Sequence, residues 1–179
     1  MSTEKIIDSC GLGEALARNR EFKASLRMYN LAITQNPENP YAYKGRALNL
    51  ASLKIFAAAT IAYKKCLTLA PEWAGLIRYY MGLNYHAWQK YHLAIKEYRQ
   101  ALTDSWPKDT KTMKEFNTSS VYLRMGRTYR SSGKPREALR CFEKAWSINP
   151  HRTRTLATEV SKLGKKAIQA RAPYWVKKS

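Results

Sequence analysis

The sequence has 179 residues, 32 Lys and Arg against 13 Asp and Glu for a net charge of +19, and 12 Tyr and 5 Trp beside only 8 Gly. That length suits one compact domain or about five stacked units of ~34 residues, and aromatic mass with little glycine favours helices packed on helices. No run approaches ~18 uninterrupted apolar residues, which excludes a membrane-spanning helix, and three widely spaced cysteines, Cys10, Cys66 and Cys141, argue against a disulfide framework.

The cysteine pattern and the start of the chain point to an intracellular protein, cytoplasmic, cytoskeletal or organellar (mitochondrial), and not a secreted one. Met1–Lys5 carries an acid and no apolar stretch, so no secretory signal is expected, and it lacks the Arg-rich character of a mitochondrial presequence. The charge is uneven. Residues 1–90 hold twelve cations and six acids, whereas residues 91–179 hold twenty and seven. Such a basic excess favours acidic partners: nucleic acid, an anionic membrane or an acidic protein face.

Taken in order, a first unit spans residues 6–37. Leu12, Gly13 and Leu16 are expected on the inner face of its first helix, Arg20-Glu21-Phe22 at the turn, and Ser25, Tyr29 and Ala32 on the seam of its second helix. The second unit, residues 40–71, opens with Asn39 as an N-cap and Pro40 in the first helical position. Tyr43, Ala47 and Leu50 line its first helix, Phe56 marks the turn, and Ala59, Tyr63 and Cys66 line its second. Pro37 to Pro71 and Tyr29 to Tyr63 are both 34 residues, which fixes the register. The third unit, residues 75–107, uses Met81, Gly82 and Tyr85, then Tyr91, Ala94, Tyr98 and Ala101, with Tyr98 falling 35 residues after Tyr63.

The period then breaks, because Tyr98 to Phe142 is 44 residues. The surplus lies in Asp104–Thr118, where Asp109 or Thr110 as an early N-cap lengthens the next helix by about two turns, or where a longer loop intervenes. The fourth unit, residues 109–150, carries Tyr122, Gly126 and Tyr129, a break at Gly133-Lys134-Pro135, and then Ala138, Phe142, Ala145 and Asn149-Pro150. Beyond it, residues 151–171 place Leu156, Val160, Leu163 and Ala167 on one apolar stripe, as a helix covering the last unit's open edge would need. The tail, residues 172–179, sets Tyr174 and Trp175 beside Lys177 and Lys178.

An aromatic or small residue at fixed places in the first helix, an Ala-rich second helix and a closing Pro, repeated four times over residues ~6–150, resemble the tetratricopeptide repeat (TPR). The resemblance implies an all-α fold, a right-handed α-solenoid of helix-turn-helix repeats with a C-terminal capping helix. It also implies a non-catalytic docking scaffold whose concave surface is lined mainly by first-helix residues. Some relatives bind chaperone tails through a carboxylate clamp of Lys, Asn and Arg. Here those positions carry Cys10, Glu14, Gly45, Leu76 and Tyr80, or, one repeat on, Lys44, Leu48, Tyr80, Ser120 and Arg124, so a chaperone-tail receptor is disfavoured.

Residues for chemistry are scarce. His86, His92 and His151 have no carboxylate or cysteine at ligand spacing, there is no HExxH, CxxC or phosphate loop, and Gly11-Leu12-Gly13 lacks a third glycine. No catalytic residue, metal site or cofactor is therefore expected. The expected groove mixes rings and cations: Tyr41, Lys44, Tyr79, Tyr80, Arg124, Arg127 and Arg130. It holds an acidic or mixed peptide or a phosphate backbone, or else the arginines are a solvated face and the tyrosines inter-repeat packing. Lys165, Lys166, Tyr174, Trp175, Lys177 and Lys178 add cations and aromatic anchors for a partner at the C-terminal end.

The sequence thus reads as a non-catalytic scaffold, a small basic subunit of a larger complex. That complex is either RNA-rich, such as an organellar ribosome, or an acidic protein assembly such as an axoneme. A free peptide-binding adaptor is the alternative.

Overall fold

A computed structural model describes residues 8–106 and 111–163, with the side chains of residues 111–116 and 152–156 left aside. Four antiparallel helix pairs follow one another: α1 (Ser9–Arg18) with α2 (Phe22–Gln35), α3 (Pro40–Ser52) with α4 (Phe56–Leu69), α5 (Ala74–Ala87) with α6 (Tyr91–Thr103), and α7 (Lys111–Ser131) with α8 (Pro135–Ile148). A further helix, α9 (Thr153–Ser161), follows. The described residues form no strand, and none of their helices is long and apolar enough to cross a membrane. The fold is an all-α repeat solenoid.

The starts of the helices follow local chemistry. The Asn39 side chain accepts from the backbone N–H of Tyr41 at 3.0 Å and Pro40 opens α3, so an otherwise unsatisfied donor is met and no needed N–H is lost. Asp8 caps α1 in the same way, accepting from Gly11 N–H at 2.9 Å. Helix α7 runs for 21 residues and so takes up much of the surplus that breaks the period.

Each turn within a pair closes on a residue in the left-handed region: Arg20 (φ 63°), Lys54 (φ 61°), Gln89 (φ 61°) and Gly133 (φ 75°). All four make the same two hydrogen bonds. In the first, Arg20 N–H reaches Ala17 C=O and Glu21 N–H reaches Leu16 C=O, the Schellman pattern that satisfies a helix's last carbonyls. Lys54 with Ile55, Gln89 with Lys90, and Gly133 with Lys134 repeat it. Phe22 and Phe56, expected at the turns, are instead the first residues of α2 and α4. The Schellman turn is completed by Glu21 and Ile55, which leaves the next residue free to begin a helix.

Within each pair a ring packs on a small residue 16 positions earlier: Tyr29 on Gly13, Tyr98 on Gly82, Phe142 on Gly126, with Tyr63 and Ala47 in the same register. A Cβ at Gly126 would lie 2.3 Å from the Phe142 ring. The buried core continues from Ala47 through Tyr63, Ile77, Tyr98 and Val121, then passes to a smaller cluster where Val160 and Leu163 meet Leu123, Ala138 and Phe142. Leu12 departs from expectation. It is 45% exposed, because α1 turns Ser9 and Gly13 inward instead.

These two uses of glycine have opposite consequences. Gly126→Ala should overpack the α7–α8 contact and cost about 1–3 kcal/mol. Lys54→Gly and Gln89→Gly, at exposed positions with positive φ, should each gain roughly 0.5–1 kcal/mol by relieving left-handed backbone. Thermal unfolding followed by circular dichroism distinguishes the signs.

Candidate partner-binding groove

The first helices of neighbouring repeats touch, α1 with α3, α3 with α5, and α5 with α7, whereas each second helix packs on the first helices beside it. The array therefore curves toward the side of α1, α3, α5 and α7, and their exposed residues line a groove. At its N-terminal end lies a cleft of about 470 Å³, lined among others by Asp8, Glu14, Tyr29, Tyr41, Lys44 and Tyr80. Tyr29 reaches it from α2 because Gly45 has no side chain. A Cβ there would sit 2.1 Å from the tyrosine ring.

Tyr41 is 58% exposed on the lip of this cleft. Its ring meets Trp73 edge-on, with centroids 4.6 Å apart, and Lys44 Nζ lies 5.2 Å from both ring centroids. A cation held over two rings is already partly desolvated and fixed, so a ligand carboxylate or carbonyl meets a preset donor. Trp73 was not foreseen from the sequence. It belongs to the turn Pro71–Trp73 between repeats, where helical spacing assigns no face.

Tyr80 shares the cleft and stacks on Tyr63, with centroids 6.3 Å apart and planes 8° from parallel. Burial and the neighbouring Tyr79 raise its hydroxyl pKa, so it is a neutral donor. Tyr79 faces away from the cleft into a cage of Tyr80, Tyr98 and Trp106 rings. Of the four aromatic and lysine candidates, Tyr41, Lys44 and Tyr80 come together, and Tyr79 supports them.

The arginines of α7 have a different setting. Arg127 Nη2 lies 2.9 Å from Glu159 Oε1, and Arg130 Nη1 pairs with Glu159 Oε2, so two cations converge on one carboxylate of α9 that is 5% exposed. Burial pushes the Glu159 carboxyl upward, but Arg127 and Arg130 outweigh it and hold the group below its ordinary value. Arg124 is half-buried and makes no ion pair among the described residues. Lys165, Lys166, Tyr174, Trp175, Lys177 and Lys178 lie outside the described residues.

His86 Nδ1 is 2.9 Å from Thr128 Oγ1, whose own proton goes to the Arg124 carbonyl at 2.8 Å, so the histidine is the donor. Burial, then the positive charges of Arg124, Arg127 and Arg130, push its pKa down, and the ring is neutral at pH 7. Cys66 and Cys141 are buried free thiols, each pushed up by that burial to about 11 and so protonated. Among the described residues no three of His, Cys, Asp and Glu are grouped to hold a metal ion.

Two family models described as tetratricopeptide repeat match this sequence, one over residues 10–72 and one over residues 119–152. No curated protein sequence matches it. Among solved structures, the fold is similar to that of pilF of Pseudomonas aeruginosa, with TM-score 0.73, 17% identity, and coverage of 95% of this chain and 71% of that one. MamA gives a TM-score of 0.72 at 18% identity, covering 93% and 91%. YrrB, described as a TPR protein with an unusual peptide-binding site, gives 0.66 at 17% identity, covering 97% and 82%.

The clamp on α9 sets a pH dependence. A carboxyl whose folded pKa is depressed contributes stability fully present above its unfolded value, near 4.5, and lost as pH falls through the folded value. Glu159→Gln should therefore cost about 1–3 kcal/mol at neutral pH, and the difference from the parent should vanish in strong acid. Chemical denaturation at pH 7 and along a series of falling pH below 4.5 measures both arms.

Proposed function

Because this chain belongs to the tetratricopeptide repeat family, we propose that it acts as a non-catalytic scaffold that seats a peptide segment of a protein partner in its N-terminal groove. The observation that carries the reading is the exposed Tyr41 ring with Lys44 fixed over it and over Trp73, beside an open cleft. Exposed rings are the residues that anchor interfaces by burial, and a cation beside them orients the ligand. YrrB, of the same fold, has a peptide-binding site, so the architecture can present one.

The cleft holds Asp8 and Glu14 on one side and Lys44 on the other, which suits a segment of mixed charge better than an acidic tail. Leu48 and Gly45 stand at clamp positions and offer no polar side chain to a carboxylate, which supports the reading that this is not a chaperone-tail receptor. Catalysis finds no support in the buried thiols, which stay protonated, or in His86, which is committed to Thr128. The excess of 19 positive charges fits a small basic subunit of a larger assembly.

Affinity purification of the tagged chain from its native source should recover a protein partner. Tyr41→Ala with Lys44→Ala should reduce that recovery about tenfold, the scale of a ~1.4 kcal/mol contact, without loss of helicity. An unchanged partner profile from the folded variant would sink the groove reading.

A further inference from the structure

The second helices carry the net excess of exposed positive charge in the described array. Counting exposed side chains only, α2 presents Lys23 and Arg27, and α4 presents Lys64 and Lys65. Helix α6 presents Lys96 and Arg99, and α8 presents Arg136, Arg140 and Lys144 with Glu137. Each helix therefore shows a net +2 at its surface, nine cations against one carboxylate in all. The described side chains of the first helices show only Glu14 and Arg18 as exposed charges, and these pair with each other at 2.9 Å.

An ordinary solvated helix face mixes the two signs and gains from i,i+4 pairs, whereas like charges at that spacing cost about 0.2–0.5 kcal/mol per pair. Here Lys23 and Arg27 are four apart, and Arg136, Arg140 and Lys144 follow at successive steps of four. None of the nine cations makes an ion pair among the described residues. Three of the four rows share a register, since Arg27, Lys96 and Arg140 hold equivalent positions on α2, α6 and α8, where α4 carries Ile61. A bound polyanion relieves that repulsion along the whole array.

We propose that this outer face, formed by α2, α4, α6 and α8, binds the phosphate backbone of a nucleic acid without reading its sequence. The shape selects among polyanions. The face lies opposite the groove on the outside of the curve, so a flat bilayer reaches only its crest, while a strand of phosphates follows all four helices. The chemistry selects the mode. No Phe, Tyr or Trp is exposed on these helices, so there is no stacking platform, and contacts to phosphate position a strand but carry no sequence information. The inference stands apart from the groove reading, because the two surfaces are on opposite sides.

The test is fluorescence anisotropy of the full chain with labelled oligouridine and with a labelled single-stranded DNA of mixed sequence, over a series of salt concentrations. Both should bind, with log affinity falling linearly in log salt by about 0.7 per phosphate contacted. Arg27→Gln with Lys96→Gln and Arg140→Gln should flatten that slope by about 2, while Tyr41→Ala with Lys44→Ala should leave it unchanged. Circular dichroism keeps folding and binding apart, and the Lys23→Gln, Arg136→Gln pair serves if the triple variant loses helicity. Absence of salt-dependent binding by the parent chain, or an unchanged slope in folded variants, overturns the proposal. So does polyglutamate competing as strongly as oligouridine, which would assign the face to an acidic protein.

Discussion

In each repeat, an aromatic ring from the second helix lies where the first helix offers little or no side chain, and the rest of the array depends on that contact. Removing the Cβ at Gly82 and Gly126 lets Tyr98 and Phe142 lie against helix backbone, so the two helix axes approach as closely as a ring allows. Each of these rings is fully buried, a gain of roughly 1.5–3 kcal/mol for a large apolar side chain. The same class of ring also reaches the next repeat. Tyr29 fills the space left by Gly45, and Tyr63 stacks on Tyr80. One residue type thus sets the spacing inside a pair and between pairs, and the floor of the groove, Tyr29 and Tyr80, follows from it.

Rings alone would tolerate sliding, and buried polar links remove that freedom. Asn49 Nδ2 donates to Ser25 Oγ at 2.7 Å, and Ser25 Oγ donates to the Gly13 carbonyl at 2.6 Å, tying α3, α2 and α1 together. At the next junction Asn84 Nδ2 donates to Thr60 Oγ1 and to the Phe56 carbonyl, both at 3.0 Å. A slip would leave a buried amide unmet, at about 1–3 kcal/mol, so each link fixes a register. The third junction differs. Thr128 holds the position of Asn49 and Asn84 and takes its bond from His86, while Arg99 donates to the Tyr129 hydroxyl at 3.0 Å. This is the junction where the repeat spacing departs from 34 or 35 residues.

What could be read from the sequence was whatever recurs at a fixed spacing. The ring on its small partner repeats four times, and so the helix pairs, their register and most of the seam, Ser25, Ala59, Ala94 and Ala138, were legible. The left-handed conformation at the turns was legible only at Gly133, because Arg20, Lys54 and Gln89 adopt it without the residue type that favours it. Long-range pairing was not legible. Arg127 and Arg130 are three apart on α7 as their spacing suggests, but their partner Glu159 lies 32 and 29 residues away, and no local pattern points to it. Trp73 escaped notice for a related reason, since its contact with Tyr41 joins a turn to a helix of the preceding repeat.

The uneven surface charge follows from how the carboxylates are spent. Glu97 and Asp104 both pair with Arg78 across α5 and the end of α6, Glu159 holds Arg127 and Arg130, Glu14 pairs with Arg18, and Asp8 caps α1. With 13 acids for 32 cations, committing Glu97, Asp104 and Glu159 to clamps between helices leaves fewer to neutralise the outside. The net charge is therefore not spread evenly over the molecule. Among the exposed side chains of the described helices, the second helices hold the excess of cations. At physiological ionic strength such charges act over about 8 Å, less than the length of one of these helices. Neighbouring rows can share a ligand only if it lies along the surface and crosses from helix to helix.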